Sequence, residues 1–213
     1  MRHVAVIDYG MGNLRSVSKA LEAVAGGVTV KVTADPKLIQ SASHIVLPGV
    51  GAIRDCVNEL ARLDLDMVIQ EAAETKPLLG ICLGMQALLS HSEENNGTNA
   101  LNIIPGRVRQ FDTTLPRTKK DFKVPHMGWN NVHQLFSHPL WKDIEQNSRF
   151  YFVHSYFADP KNKAVRAAMT NYQCDFTAAL CKDNIFATQF HPEKSQQDGL
   201  QLLQNFLNWD GQS

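Results

Sequence analysis

The stretch Lys76-Pro77-Leu78-Leu79-Gly80-Ile81-Cys82-Leu83-Gly84-Met85-Gln86-Ala87-Leu88-Leu89 changes its pattern at a single cysteine. The apolar run Lys76 to Ile81 reads as a short buried strand, and Leu83 to Leu89 as the start of a helix. Between them, Gly80-Ile81-Cys82-Leu83-Gly84 has the form G-x-nucleophile-x-G. A sharp strand-to-helix turn lifts the side chain at its apex out of the sheet, and flanking glycines allow the close backbone approach this requires. The same turn puts the thiol at a helix N-terminus, where the positive end of the dipole favours thiolate.

Working outward, the first half of the chain repeats this strand-helix alternation. His3 to Ile7, Val28 to Val32 and Ile45 to Leu47 have strand patterns. Asn13 to Val24 has helical spacing at Leu14, Val17, Ala20, Leu21 and Val24, with Asn13 in the capping position. Ile53 to Leu60 is also helical, with Val57, Leu60, Ala61 and Leu63 predicted mostly on one face. This rhythm predicts an α/β fold with a mostly parallel central sheet flanked by helices. The second half predicts strands at Val108–Phe111, Trp129–Val132, Phe150–His154, Val165–Met169, Thr177–Cys181 and Ile185–Gln189. Several of these are expected as antiparallel additions to the sheet. A closing helix over Gln197–Leu207 places Leu200, Leu203, Phe206 and Leu207 on one face, and Asp112–Val124 is expected as a surface loop. No repeat or linker divides the chain, so residues 1–213 are read as a single domain.

A base for Cys82 is found in His191-Pro192-Glu193. In an extended segment residues i and i+2 point to the same side, so Glu193 can orient the His191 ring, and the proline restrains the backbone. Cysteine, base and carboxylate make a covalent-catalysis triad if the fold brings the two motifs together. His91 is expected on the elbow helix, roughly 13 Å along its axis from Cys82 at ~1.5 Å per residue, which is out of reach. His3, His44, His133 and His138 have no partner pattern and are expected to be structural or exposed. Acyl transfer also needs donors for a developing oxyanion. The Leu83 N–H is one, and Pro48-Gly49-Val50-Gly51, after an earlier buried strand, can present another at Val50.

Composition narrows the alternatives. Lys plus Arg (21) equals Asp plus Glu (21), so no global field attracts nucleic acid or an anionic membrane. The four cysteines have no C-x-x-C pair, which argues against a disulfide framework or a zinc site and suits a reducing compartment. The longest mostly apolar run, Pro77 to Leu89, falls short of the ~20 residues a membrane-spanning helix needs. No signal peptide is readable, Asn96-Gly97-Thr98 is expected as a loop, and a cytoplasmic protein is predicted. No cofactor and no metal are expected. Gly10-Met11-Gly12-Asn13-Leu14-Arg15, with Asp35 after the next strand, imitates a dinucleotide-binding unit. Arg15 replaces the third glycine and Asp8 would oppose a pyrophosphate, so Tyr9 to Asn13 reads as a tight strand-to-helix turn.

Pro-Gly-Val-Gly at 48–51, Gly-Ile-Cys-Leu-Gly-Met-Gln at 80–86 and Gln-Phe-His-Pro-Glu-Lys-Ser at 189–195 together resemble the class I (triad-type) glutamine amidotransferases, whose fold is flavodoxin-like. The segments Ile7 to Leu14, Pro125-His126-Met127-Gly128-Trp129-Asn130 and Tyr151 to Tyr156 narrow the resemblance to the glutaminase subunits of imidazole glycerol phosphate synthases, over nearly the whole chain. Ile53, where an aromatic is common, is a minor departure. The resemblance implies that Cys82 attacks glutamine, that His191 and Glu193 complete the triad, and that Gln86 and Glu94 hold the substrate. It assigns His154, Ser155 and Tyr156 to the α-carboxylate end, with Gly51 alongside. Without it, Glu94 reads as part of a solvated acidic loop.

The resemblance also implies a (β/α)8-barrel cyclase partner in a 1:1 heterodimer, met through Asn13, Trp129, Tyr151 and Lys194. It implies that the P-G-V-G strand is inactive until partner and ligand bind. Trp129 by itself reads more readily as core. The nearest rivals are the glutaminase subunit of an anthranilate or aminodeoxychorismate synthase, an acceptor-free hydrolase, and a catalytically silent interaction protein.

Overall fold

The computed structural model describes residues 2–112 and 123–212. The loop expected at Asp112–Val124 therefore lies, over 113–122, outside the described residues.

The first half alternates as its pattern predicts. It runs β1 (His3–Ile7), α1 (Leu14–Val24), β2 (Thr29–Thr33), α2 (Pro36–Ser41), β3 (His44–Gly49), α3 (Ile53–Arg62), α4 (Leu65–Thr75), β4 (Leu78–Cys82) and α5 (Leu83–Ala87). Two helices escaped the sequence reading. The first, α2, is a single short turn-and-a-half started by Asp35, whose carboxylate accepts the Lys37 N–H at 2.9 Å. Asp35 is thus a helix cap, consistent with rejecting a dinucleotide site. The second, α4, follows α3 after a left-handed Asp64 (φ 56°) and buries Leu65, Val68, Ile69, Ala72 and Ala73.

The second half adds the short strands β5 (His91–Ser92) and β6 (Thr98–Asn99), then β7 (Gly106–Gln110), β8 (His126–Asn131), β9 (His133–Gln134) and β10 (Arg149–His154). It continues with β11 (Tyr156–Pro160), β12 (Arg166–Asn171), β13 (Asp175–Lys182), β14 (Ile185–Thr188) and α6 (Gln196–Asn208). His91 is therefore on a strand, since α5 ends at Ala87. The large sheet runs β2-β1-β3-β4-β14-β13-β11-β7-β5-β6, with β12 and β9 attached beside β13. Its first five strands are mutually parallel, and β13, β11 and β12 join antiparallel. The strands expected around Trp129 and Phe150 instead form their own two-stranded antiparallel sheet, β8 with β10.

Strand alternation sorts the core into two layers. Val4, Val6, Val46 and Leu79 pack with α1 and α6 through Val17, Leu21, Leu203 and Phe206. Ala5, Ile7, Ile45 and Leu47 pack on the other face with Ile39, Ile53, Cys56, Leu60 and Ile69. The buried face of α3 is thus Ile53, Cys56 and Leu60; of the expected set Val57, Leu60, Ala61 and Leu63, only Leu60 is fully buried. In α6, Leu202 is buried where Leu200 was expected. Asn13 does stand at the α1 cap position, but its side chain makes no capping hydrogen bond.

Candidate active site

Residue 82 closes β4 at φ 54° and ψ −106°, a left-handed conformation that a side chain adopts only under constraint. The constraint is visible in its neighbours. A methyl group on Gly84 would collide with the Leu47 carbonyl oxygen, and one on Gly80 would come within 3.1 Å of Ala187 Cβ. The glycines therefore let the elbow lie flat on β3 and β14 while Cys82 projects from its apex. The helix that follows is only five residues long. The free N–H groups of its first turn, more than a long macrodipole, are what it offers an anion.

His191 follows the end of β14 and is fixed from two sides. Its N–H donates to the Tyr151 carbonyl at 2.9 Å, and its carbonyl accepts the Ser195 hydroxyl at 2.6 Å. A short 3₁₀ turn, Pro192–Lys194, then curls Glu193 back beneath the ring. Nδ1–H of His191 donates to Glu193 Oε1 at 2.8 Å, with the two side chains 2% and 0% exposed. α6 packs so closely under this turn that a methyl on Gly199 would strike the Pro192 carbonyl.

Nε2 of His191 is buried and makes no hydrogen bond of ordinary length within the described residues. Burial lowers the affinity of this ring for a proton, but the Cys82 thiolate, and after it the Glu193 carboxylate, outweigh that and raise its pKa to about 10. An imidazolium at His191 is the form these contacts favour.

Cys82, 7% exposed, and His191 open into one cavity of about 400 Å³. It is also lined by Val50, Gly51, Leu83, Gln86, Glu94, His154, Ser155 and Tyr156. The fold thus gathers the expected triad, oxyanion and substrate residues around one space, Glu193 standing behind His191. Gly49 pairs with Cys82 at the end of the β3–β4 ladder, which sets Val50 beside Leu83. Gln86 is buried and donates to the Tyr156 carbonyl at 2.9 Å and to Gln189 Oε1 at 3.1 Å. Glu94 is not merely solvated: Oε2 accepts the Ile53 N–H at 2.8 Å, capping a helix whose own N-cap, Ala52, cannot.

His154 lines the cavity with its ring already engaged. Its ring bonds internally, to the Tyr156 carbonyl at 2.8 Å and to His126 at 2.9 Å. Burial pushes its pKa down to about 3. The His154 imidazole is thus neutral and fully hydrogen-bonded within the wall of the cavity.

Besides Val153 in the cavity wall, three contributors were missed in the sequence. Gln189 Nε2 approaches Cys82 Sγ at 3.7 Å. Its place two residues before His191 is the same period-two signal that picked Glu193. Tyr9, fully buried, donates from Oη to the Pro48 carbonyl at 2.8 Å, directly before the Gly-Val-Gly segment. Pro125 joins the cavity wall, and no local pattern announces it.

Beside the cavity, the outer face of the β8–β10 sheet is apolar and open. Met127 and Trp129 are 62% and 36% exposed, so Trp129 is not core. Trp129 stands opposite Tyr151, ring centroids 6.1 Å apart, and Lys194 Nζ lies 5.9 Å from the Tyr151 ring. Val153, opposite Met127, lines the cavity itself. Asn13 is half-buried at the start of α1, which packs against the turn carrying Lys194.

The family model described as glutamine amidotransferase class-I matches residues 5–209. The chain belongs to the class-I glutamine amidotransferases. Among relatives of this amidotransferase, the imidazole glycerol phosphate synthase subunit HisH of Nitrosococcus oceani is 60% identical over 213 residues, covering 100% of both chains. The protein of the same name from Pseudomonas syringae pv. syringae is 54% identical over 211 residues, covering 99% of each. Solved structures share the fold at lower identity. PurLQS from Thermotoga maritima has a TM-score of 0.73 at 19% identity, covering 97% of this chain and 98% of that one. The glutaminase domain of Trypanosoma brucei CTPS has a TM-score of 0.64 at 18% identity, covering 98% and 92%.

Proposed function

We propose that this amidotransferase is the glutaminase subunit of imidazole glycerol phosphate synthase in histidine biosynthesis, built as one domain over residues 1–213 and working in the cytoplasm. The observation that carries the chemistry is the left-handed Cys82 at an elbow apex, opening into the cavity of a His191 whose far nitrogen is held by buried Glu193. The identity of the relatives over the full chain supports the choice of synthase.

The Cys82 thiolate attacks the side-chain carbon of glutamine. The N–H groups of Val50 and Leu83 take the developing oxyanion. His191 gives its Nε2 proton to the departing nitrogen, and ammonia leaves a γ-glutamyl thioester on Cys82. His191, again neutral, takes a proton from water, which attacks the thioester and releases glutamate. Glu193 keeps the ring in the Nδ1–H tautomer and stabilises each imidazolium. Gln86, Glu94 and Gly51 hold the substrate, Glu94 facing its α-ammonium, with His154, Ser155 and Tyr156 forming the wall at its α-carboxylate.

Free ammonia in neutral water is largely protonated and no longer nucleophilic, so the product has to pass to an acceptor without meeting bulk solvent. The acceptor is a (β/α)8-barrel cyclase in a 1:1 heterodimer, which uses the ammonia to form imidazole glycerol phosphate and AICAR. Its seat is the open apolar face around Trp129 and Tyr151, with Lys194 and Asn13 at the edges. Trp129 supplies an aromatic anchor of the kind that dominates interfaces.

Glutamate release by the assembled pair, compared with the pair carrying Cys82→Ser, tests the chemistry. Hydrolysis that needs Cys82, with glutamate and imidazole glycerol phosphate formed in equal amounts, is expected. Glutamate formation that survives Cys82→Ser contradicts it.

A further inference from the structure

We infer that His126 is a positioning residue for the glutamine site, acting through His154 along a directed chain of hydrogen bonds from strand β8 to the Cys82 thiol. The inference rests on the proposed glutaminase function for its kinetic consequence, but not for its geometry.

The direction of every bond follows from the chemistry of the groups. The Tyr156 carbonyl only accepts, so the His154 Nδ1 that meets it at 2.8 Å carries the proton. In the neutral ring, His154 Nε2 is then bare and accepts from His126 Nδ1–H at 2.9 Å. That leaves His126 Nε2 bare, and the amide nitrogen of Asn130 stands 3.3 Å away to donate to it. The second hydrogen of the same amide goes to the Asn171 carbonyl at 2.9 Å. At the other end the Tyr156 carbonyl also accepts from Gln86, which bonds Gln189, whose amide approaches Cys82 Sγ. A proton added to either histidine would set two donors against each other.

Packing reinforces this single arrangement. The His126 ring is sandwiched between Tyr172 (centroids 3.9 Å, interplanar 25°) and Phe152 (4.9 Å, 24°). His126 and His154 are 3% and 6% exposed, and burial lowers their pKa values to about 4 and about 3. Two buried polar rings bonded to each other, to Asn130 and to the wall of the cavity are a costly way to fill a core that phenylalanines already dominate. Their effect is to fix the Tyr156 carbonyl, and with it the Gln86 and Gln189 amides, against the cavity that holds the substrate. Because Asn130 belongs to β8, which carries the exposed Trp129, the chain also ties the open face to the thiol.

The test uses the full chain assembled with its cyclase. His126→Phe keeps the stacked ring and removes both hydrogen bonds, whereas His126→Asn keeps an amide N–H at the position of Nδ1. His126→Phe is expected to raise the KM for glutamine about tenfold while kcat changes less than about threefold, and His126→Asn to return KM to within about threefold of wild type. A merely structural role would reduce the active fraction, lowering kcat and leaving KM in place. An unchanged KM in His126→Phe, or an equal defect in both variants, overturns the inference. Nitrogen-15 imidazole spectra of the unaltered protein read the geometry independently of turnover. Both rings protonated on Nδ1 at pH 7 support the chain, and an Nε2-protonated ring at either position overturns it. Absence of glutamine turnover in the wild-type pair would sink the proposed function, with the spectra still deciding the chain.

Discussion

Glu193 holds His191 from within the protein. Its Oε1 accepts the Nδ1–H at 2.8 Å, and its side chain is wholly shielded from solvent. Such a carboxylate selects one tautomer and aims the other ring nitrogen at the reactants. Glu193→Gln offers the ring an amide that no longer stabilises an imidazolium, and glutamine hydrolysis is expected to fall by about 10²–10⁴ in kcat with the fold intact. Steady-state kinetics beside a thermal melt separates the two effects.

The same contact makes stability depend on pH. The His191 pKa is raised in the folded protein, from an unfolded value of 6.5 to about 10. Its stabilising contribution is therefore complete below about pH 6.5, declines between there and about pH 10, and is absent above. Cys82→Ser removes the largest cause of the rise and Glu193→Gln the next. Urea midpoints from pH 6 to pH 10 should fall most in wild type, less in Glu193→Gln and least in Cys82→Ser. Parallel curves for all three proteins would show that the couple contributes nothing.

Glu94 serves two neighbours, and two substitutions separate them. Its carboxylate caps α3 at Ile53 and faces the cavity. Glu94→Gln retains an oxygen for the Ile53 N–H but loses the charge for an α-ammonium, so KM for glutamine is expected to rise at nearly unchanged stability. Glu94→Ala is expected to raise KM and also cost about 1 kcal/mol in denaturant unfolding, the usual worth of a lost cap.

Tyr9 anchors the strand proposed to carry the oxyanion donor, through its hydrogen bond to the Pro48 carbonyl. Tyr9→Phe leaves the buried carbonyl without its donor and loosens the strand that presents Val50. A fall of about tenfold in kcat with KM little changed is expected, smaller than the loss of a whole oxyanion donor. A rise in KM at constant kcat would assign Tyr9 to substrate binding instead.

The parallel half of the fold and the gathering of Cys82, His191 and Glu193 were legible because their causes are local. β1, β3 and β4 are continuous apolar runs buried on both faces, and the elbow glycines and His191-Pro192-Glu193 are short-range patterns. What escaped depends on contacts made across the chain. The α4 helix is amphipathic only weakly around Asp66 and Glu71, so its apolar residues gave no clear stripe. The β8–β10 pair forms a sheet of its own, and Met127 and Trp129 on its outer face stay exposed among the described residues, which no strand pattern announces. Glu94 looked like part of a solvated loop, since its partner Ile53 is 41 residues away. Tyr9 was read as the start of a turn, and its hydrogen bond to Pro48 cannot be inferred from either neighbourhood alone.

The central claim is that Cys82 is a glutaminase nucleophile released for work by a cyclase seated at Trp129 and Tyr151. The most direct measurement is the rate of glutamine hydrolysis by the isolated chain, by the chain with the cyclase, and by that pair with the cyclase's nucleotide ligand. Stimulation on the order of 10²-fold, the cost of one oxyanion donor out of place, is predicted in the complete assembly and not in the chain alone. Equal, steady turnover with and without the cyclase would contradict the account and make this chain a free-standing hydrolase.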